Sequence, residues 1–284
     1  MKLVTYGESG QERIGAVVGD EIVDLRSADA SLPGTVLGVL EADAVEAVAR
    51  ISRAVESGAG TRTPLEGARL ASPIPRPPKI VCVGLNYLDH ATEQNVPLPE
   101  HPLLFSKATS SVVGPYDDVV LPAESEQVDY EVELAVVIGR TATAVSEADA
   151  YDYIAGYTVA NDVSARDIQF RQQQWHQGKS YDTFCPMGPW LVTKDEIPDP
   201  NALAVKLTLN GTVLQDSNTD NLIFNVPTLV SRISSVMTLV PGDVISTGTP
   251  AGVGVFREPK ILLKAGDYME TYVEGIGTLK NHVR

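Results

Sequence analysis

The chain has 284 residues, 43% of them hydrophobic and 21% charged, which is enough apolar material for a well-buried core in one large domain or one large and one small. Its formal net charge of −15 speaks against nucleic acid or a membrane surface as the main partner, because both are held by clustered Lys and Arg. Cys82 and Cys185 are the only cysteines, no apolar run is long enough to span a bilayer, and the N-terminus turns polar within a few residues, so the expectation is a soluble cytosolic protein without disulfides or a Cys-rich zinc site.

Three β-rich runs open the chain, KLVTY (2–6), RIGAVVG (13–19) and EIVDL (21–25), with polar or glycine turns between them as in a meander. Residues 44–58 carry apolar side chains at helical spacing. SPIPRPPK (72–79) has four prolines in eight residues and reads as an extended linker, which divides a small β-rich domain (1–71) from a catalytic domain (72–284). Beyond it, strands are predicted over 79–84, 128–139, 153–162, 189–193, 203–211, 243–249, 260–267 and 268–283, and helices over 147–154, 164–175 and 226–239. Strands and helices do not alternate regularly, which disfavours a doubly wound parallel sheet. The prediction is a β-rich α+β fold, a mixed β-roll or barrel body with a few covering helices.

The strongest local signal is DYEVELAVVIG (129–139). Strand alternation puts Glu131 and Glu133 on one face, while Val132, Leu134, Val136 and Ile138 take the other. Alone, the pair fits a solvated strand face; buried, it would require a positive partner. GYTVANDVSARD (156–167) adds Asp162 at a strand end, either a helix N-cap or a third hard oxygen donor. Three carboxylates without His or Cys select Mg²⁺, Mn²⁺ or Ca²⁺ over zinc and leave about three octahedral positions for water or substrate.

Histidine is scarce, and His90 in LDHATE stands an i, i+3 step from Glu93. The two are either a general base with its orienting carboxylate or a surface pair. Lys179, between Gly178 and Ser180, is a candidate anion contact or a solvated loop lysine. VISTGTPAGVG (244–254) ends in a loop that could cradle an anion or serve as a plain turn. A Walker loop, GxGxxG opening a βαβ unit, HExxH and GxSxG are all missing, which disfavours nucleotide and nicotinamide chemistry.

Together these segments resemble the fumarylacetoacetate hydrolase family, in its small bacterial and mitochondrial acylpyruvase-like type. The resemblance rests on VGLNYLDHATE, DYEVELAVVIG, GYTVANDVSARDIQ, GKSYDTFCPMGPW, LNGTVLQDSNT and STGTPAGVG in that order, and covers about residues 70–284. It implies Glu131, Glu133 and Asp162 as ligands of Mg²⁺ or Mn²⁺, and His90 with Glu93 as a water-activating dyad on a lid. It also implies Arg166, Gln169, Lys179 and Thr249 as substrate contacts, in a homodimer.

The activity expected from the resemblance is C–C hydrolysis of a small 2,4-dioxo acid, an acylpyruvate or diketo-deoxy sugar acid. Water activated by His90 would attack the 4-oxo carbon, and the charge of the pyruvate enolate would fall on the metal and Lys179. Oxaloacetate decarboxylation or 2-hydroxyhepta-2,4-diene-1,7-dioate isomerisation would use the same site. A non-catalytic binding protein is the alternative from another class, though it would require none of these residues.

Overall fold

The computed structural model describes residues 1–42, 44–171 and 173–284, with Ala44 and Val45 described through the backbone alone. The first part of the chain forms β1 (Lys2–Tyr6), β2 (Arg13–Val18), β3 (Glu21–Asp24), α1 (Leu25–Ala28), α2 (Val36–Glu41), α3 (Ala44–Glu56), β4 (Arg62–Pro64) and β5 (Leu70–Ala71). The expected meander is there: β1–β2 and β2–β3 are antiparallel pairs. Next come β6 (Ile80–Gly84), α4 (Leu88–Glu93), β7 (Leu103–Lys107), β8 (Val112–Val113), β9 (Val128–Asp129), β10 (Val132–Ile138) and β11 (Ile154–Asn161). They are followed by β12 (Ser164–Ala165), α5 (Arg166–Gln169), α6 (His176–Lys179) and β13 (Cys185–Thr193). The chain ends with β14 (Ala204–Leu209), β15 (Thr212–Asn218), α7 (Val226–Val236), β16 (Val244–Ser246), β17 (Tyr268–Val273) and β18 (Gly277–His282).

Among the described residues the strands form three sheets. The largest runs β4-β3-β2-β1-β13-β11-β10-β16-β6-β7, with β5 added on β1 and β8 on β13. The Lys2↔Val192 register between β1 and β13 carries this sheet from the N-terminal segment into the rest of the chain. A four-stranded sheet, β15-β14-β17-β18, packs against it, and β12-β9 is a short ladder beside the β10 entrance. The fold is thus mixed α+β and sheet-rich, as expected, and its large sheet is an open path without closure among the described residues.

Strand β10 explains the layering. Every residue in it is buried, and its two faces meet different partners. Val132, Leu134, Val136 and Ile138 pack with Leu207 and Leu279 of the small sheet and with Leu229 and Ile233 of α7. Ala135 and Val137 face the cluster that holds Val36 and Val39 of α2 and Ile51 of α3. Glu133 shares that second face at the strand's start, where helical cover gives way to a pocket. The helix α7 begins at an Asn225 cap, whose side-chain carbonyl accepts the Thr228 N–H at 3.1 Å, with proline in its first turn.

Three predicted elements differ. The helix over 164–175 is reduced to α5, which starts only at Arg166 because Ser164 and Ala165 pair with Asp129 and Val128 as a strand. Gln172, inside that predicted span, lies outside the described residues. Residues 260–267 form no strand: their backbone spends single hydrogen bonds on separate elements, Ile261 on Gly254 and Leu263 on Val128. The predicted strand over 268–283 is a hairpin that turns between Val273 and Gly277. No helix among the described residues is long and apolar enough to cross a membrane.

Leu134, next in the chain to Glu133, is fully buried between the two sheets. Leu134→Ala is therefore expected to lower stability by about 2–5 kcal/mol in urea unfolding, with an unchanged denaturant slope; a loss under ~0.5 kcal/mol would contradict this packing.

Candidate metal centre

The centre is made where β10 begins and β11 ends. Val132 pairs with Asn161 across the antiparallel ladder, the Asp162 N–H donates to the Glu131 carbonyl at 2.9 Å, and the Asn161 side-chain carbonyl accepts the Glu131 N–H at 3.0 Å. That register sets Glu131, Glu133 and Asp162 side by side, with one carboxylate oxygen of each inside a 4.8 Å span. All three are buried, Glu131 at 5% exposure and the others at 1%. The alternative of a solvated strand face does not apply.

Cations gather around two of the three. Lys179 Nζ donates to Glu131 Oε2 at 2.8 Å and to Asp162 Oδ2 at 2.7 Å. Lys107 Nζ donates to Asp162 Oδ1 at 2.5 Å and to the Val163 carbonyl at 3.1 Å. Arg166 is ion-paired with Glu131 at 2.6 Å and, through Nε, with Asp129 at 2.9 Å. Glu133 has only neutral donors, the Ser246 hydroxyl at 2.5 Å and the Gly248 N–H at 2.9 Å, and no ion-pair partner among the described residues. Gly248 adopts a φ of +102°, and a Cβ there would lie 2.9 Å from Asn86 Cβ, so glycine is what lets this N–H reach the carboxylate.

The titration behaviour follows. Burial alone would raise the Glu131 carboxyl, but Lys179 and Arg166 outweigh it and hold it at about 2. Glu133 is pushed up to about 8, first by burial and then by the charges of Asp162 and Glu131. Burial opposes the charge on Lys179, yet Asp162 and Glu131 raise its pKa above the ordinary lysine value. A compact set of hard oxygen donors that includes one carboxylate without a cation fits a divalent ion such as Mg²⁺ or Mn²⁺.

His90 stands in the same pocket. Its Nδ1 is 2.7 Å from Glu93 Oε1, and Glu93 Oε2 in turn accepts the Gly252 N–H at 2.9 Å. The cavity, about 60 Å³, is lined by His90, Glu131, Glu133, Arg166, Gln169, Lys179 and Thr249, together with Gln94 and the aromatic rings of Phe105 and Trp175. Seven of the nine site residues read from the sequence therefore share its wall. Asp162 lies behind the wall, held by the two lysines, and Glu93 lies behind His90. Arg166 Nη1 also donates to Gln169 Oε1 at 3.0 Å, and Thr249 Oγ1 accepts from Gln215 at 2.8 Å.

Sequence reading missed five contributors. Asp129 fixes Arg166 and accepts the Gly254 and Val255 N–H groups; its place next to the paired glutamates was the available signal. Lys107 ends an apolar strand, LLFSK, that was not singled out. Ser246 sits inside the noted VISTGT segment. Gln215 anchors the Val132 N–H at 2.9 Å, and Gln94 Nε2 lies 2.8 Å from His90 Nε2. Neither glutamine carried a spacing signal.

Comparison with known proteins agrees with this architecture. The family described as Fumarylacetoacetate (FAA) hydrolase C-terminal matches residues 79–284, and the chain belongs to the fumarylacetoacetate hydrolase family. The chain is 47% identical over 267 residues to a mitochondrial oxaloacetate tautomerase of Homo sapiens (FAHD2A), covering 93% of this chain and 84% of that protein. It is 33% identical, with a TM-score of 0.84, to maleylpyruvate hydrolase from Sphingobium sp. SYK-6 in complex with manganese(II) ion and pyruvate, covering 100% of this chain and 98% of that one. A 5-carboxymethyl-2-hydroxymuconate delta-isomerase from Mycobacterium smegmatis is 37% identical with a TM-score of 0.79, over 100% and 98% of the two chains.

The raised Glu133 pKa has a measurable consequence. Below about 8 the ion-free protein holds a proton on Glu133, and a metal ion must displace it. Mn²⁺ affinity is thus expected to rise with pH by up to about tenfold per unit toward 8 and then flatten, with proton release on binding at pH 7. Calorimetry in buffers of differing ionisation heat reads that proton; Glu133→Gln should abolish it, and a wild type that releases none would contradict the charge balance.

Proposed function

We propose that the chain is a Mg²⁺- or Mn²⁺-dependent enzyme that interconverts the keto and enol forms of a small 2-oxo diacid of the oxaloacetate type. The observation that carries this reading is one narrow pocket holding both a buried carboxylate triad and an imidazole whose Nδ1 is 2.7 Å from a carboxylate. Support for the substrate class comes from relatives named oxaloacetate tautomerase at 46–47% identity over 93–94% of the chain. In this reading residues 72–284 carry the chemistry, residues 1–71 form an accessory unit, and the protein acts in the cytosol as a homodimer.

A bound ion would be held by Glu131, Glu133 and Asp162 and would polarise the oxygens of the oxo acid as a Lewis acid. Lys179 and Arg166 set positive charge at the pocket wall, where a substrate carboxylate gains most from it because the surroundings exclude water. Gln169 and Thr249 offer further polar contacts. Glu93 takes the hydrogen bond from Nδ1–H, which leaves Nε2 as the nitrogen that accepts a proton. His90 Nε2 removes the proton from C3 as the C–H electron pair becomes the C2–C3 double bond and the negative charge moves to the 2-oxo oxygen. The imidazolium then gives that proton to this oxygen, and the reverse transfers restore the ketone. Gln94 yields its place at Nε2 to the substrate.

A second reading is favoured by the likeness to maleylpyruvate hydrolase. There His90 takes a proton from water, the water oxygen bonds to the 4-oxo carbon, and the C3–C4 bond breaks with its electron pair left on C3. Decarboxylation of oxaloacetate and isomerisation of a hydroxydienoate diacid would draw on the same groups.

With Mn²⁺ present, loss of enol-oxaloacetate followed by ultraviolet absorbance is expected to run far above the buffer rate and to stop on chelation. His90→Ala should cut turnover by about 10²–10⁴-fold, since it removes the proton-transfer group, and leave Mn²⁺ affinity unchanged in calorimetry. Cleavage of acetylpyruvate without tautomerisation would favour the hydrolase, and inertness toward every small oxo acid would favour a binding protein.

A further inference from the structure

We propose that Trp175 is a specificity-determining residue whose indole closes one side of the pocket and restricts the site to oxo acids with short, unbranched tails. This deepens the proposed function and rests on it. Trp175 is the residue immediately before α6 and already has helical backbone angles, φ −76° and ψ −17°. It therefore stands an i, i+4 step from Lys179, and the two side chains lie on the same face of that turn. Lys179 Nζ, bonded to Glu131 and Asp162, lies 5.0 Å from the centroid of the Phe105 ring. The Phe105 ring meets the Trp175 indole edge-on at 5.3 Å. Only the width of one phenyl ring thus separates the anchoring charges from the indole.

The indole is also backed from behind. A Cβ at Gly84 would fall 2.5 Å from Trp175 Cζ3 and 3.0 Å from Cη2, so the ring rests against backbone that only glycine leaves bare. Leu103, paired with Gly84 across β6–β7, and Phe105 two residues further on the same strand complete the support. A side chain braced in this way is a wall rather than a loose flap, because moving it would forfeit its packing on Gly84 and Phe105. The cavity it borders holds about 60 Å³. A substrate anchored at Lys179 and at an ion held by the carboxylates would meet the indole as soon as its tail carries a ring.

The test compares pyruvate with phenylpyruvate on the Mn²⁺-loaded protein by calorimetry, and oxaloacetate with phenylpyruvate in enol–keto conversion by absorbance. Trp175→Ala is expected to raise phenylpyruvate affinity relative to pyruvate by about tenfold or more, the scale of a pocket that gains or loses hydrocarbon volume, with the conversion ratio rising in parallel. Trp175→Phe should give a smaller rise, and it carries the test should the alanine variant fail to fold. A wild type that binds both acids equally, or folded variants with an unchanged ratio, would overturn the wall while leaving the proposed function standing. A wild type that binds neither acid and converts neither would overturn both.

Discussion

Four carboxylates, Asp129, Glu131, Glu133 and Asp162, are buried around one pocket, and among the described residues three Lys and Arg cations, Lys107, Arg166 and Lys179, are buried with them. Burying ionised groups is costly unless each is paired, so the balance of this cluster governs what the centre can hold. Asp129, Glu131 and Asp162 have direct cationic partners, whereas Glu133 has a hydroxyl and an amide. Near neutral pH Glu133 keeps a proton in the ion-free protein, which spares the fold an unpaired buried charge, and a divalent ion that displaces that proton supplies the missing positive partner.

The backbone is arranged to hold that imbalance in place. Glu131 and Glu133 leave one strand, Asp162 leaves the next at the paired register, and β16 closes on the other side of β10 through Ala135↔Ser246. Ser246 is thereby positioned to reach Glu133, and the chain after it turns through Gly248 to offer a second donor. On the far side Gly178, where a Cβ would come 2.6 Å from the Gln169 amide nitrogen, lets α6 approach α5 closely enough for Lys179 to enter. Polar satisfaction and packing are therefore one problem here, and any change in the register of β10 on β11 would separate the ligands.

The metal-ligand candidates were legible because strand alternation and a strand end are local facts: VELAVVI announces a buried face, and the two glutamates are conspicuous on the other. The His90–Glu93 step was legible for the same reason, being a single helical turn. Lys107 was not, since its role depends on a non-local approach to Asp162 across 55 positions of sequence, and LLFSK alone looks like an edge strand. Asp129 accepts the Gly254 and Val255 N–H groups and Gln215 the N–H of Val132 at the start of β10, contacts across long stretches of sequence that composition does not reveal. The helix expected over 164–175 failed at its start, where tertiary pairing overrode helical spacing and β12 took its first two residues. Residues 260–267 had β propensity but no ladder to join.

The central claim, that one divalent ion is held by this particular carboxylate set, is tested most directly by anomalous scattering from crystals of the Mn²⁺-soaked protein. The account predicts a single strong peak within bonding distance, about 2.0–2.2 Å, of carboxylate oxygens from Glu131, Glu133 and Asp162. A peak bound elsewhere, or an empty centre with Lys179 still bridging Glu131 and Asp162 at saturating Mn²⁺, would contradict it.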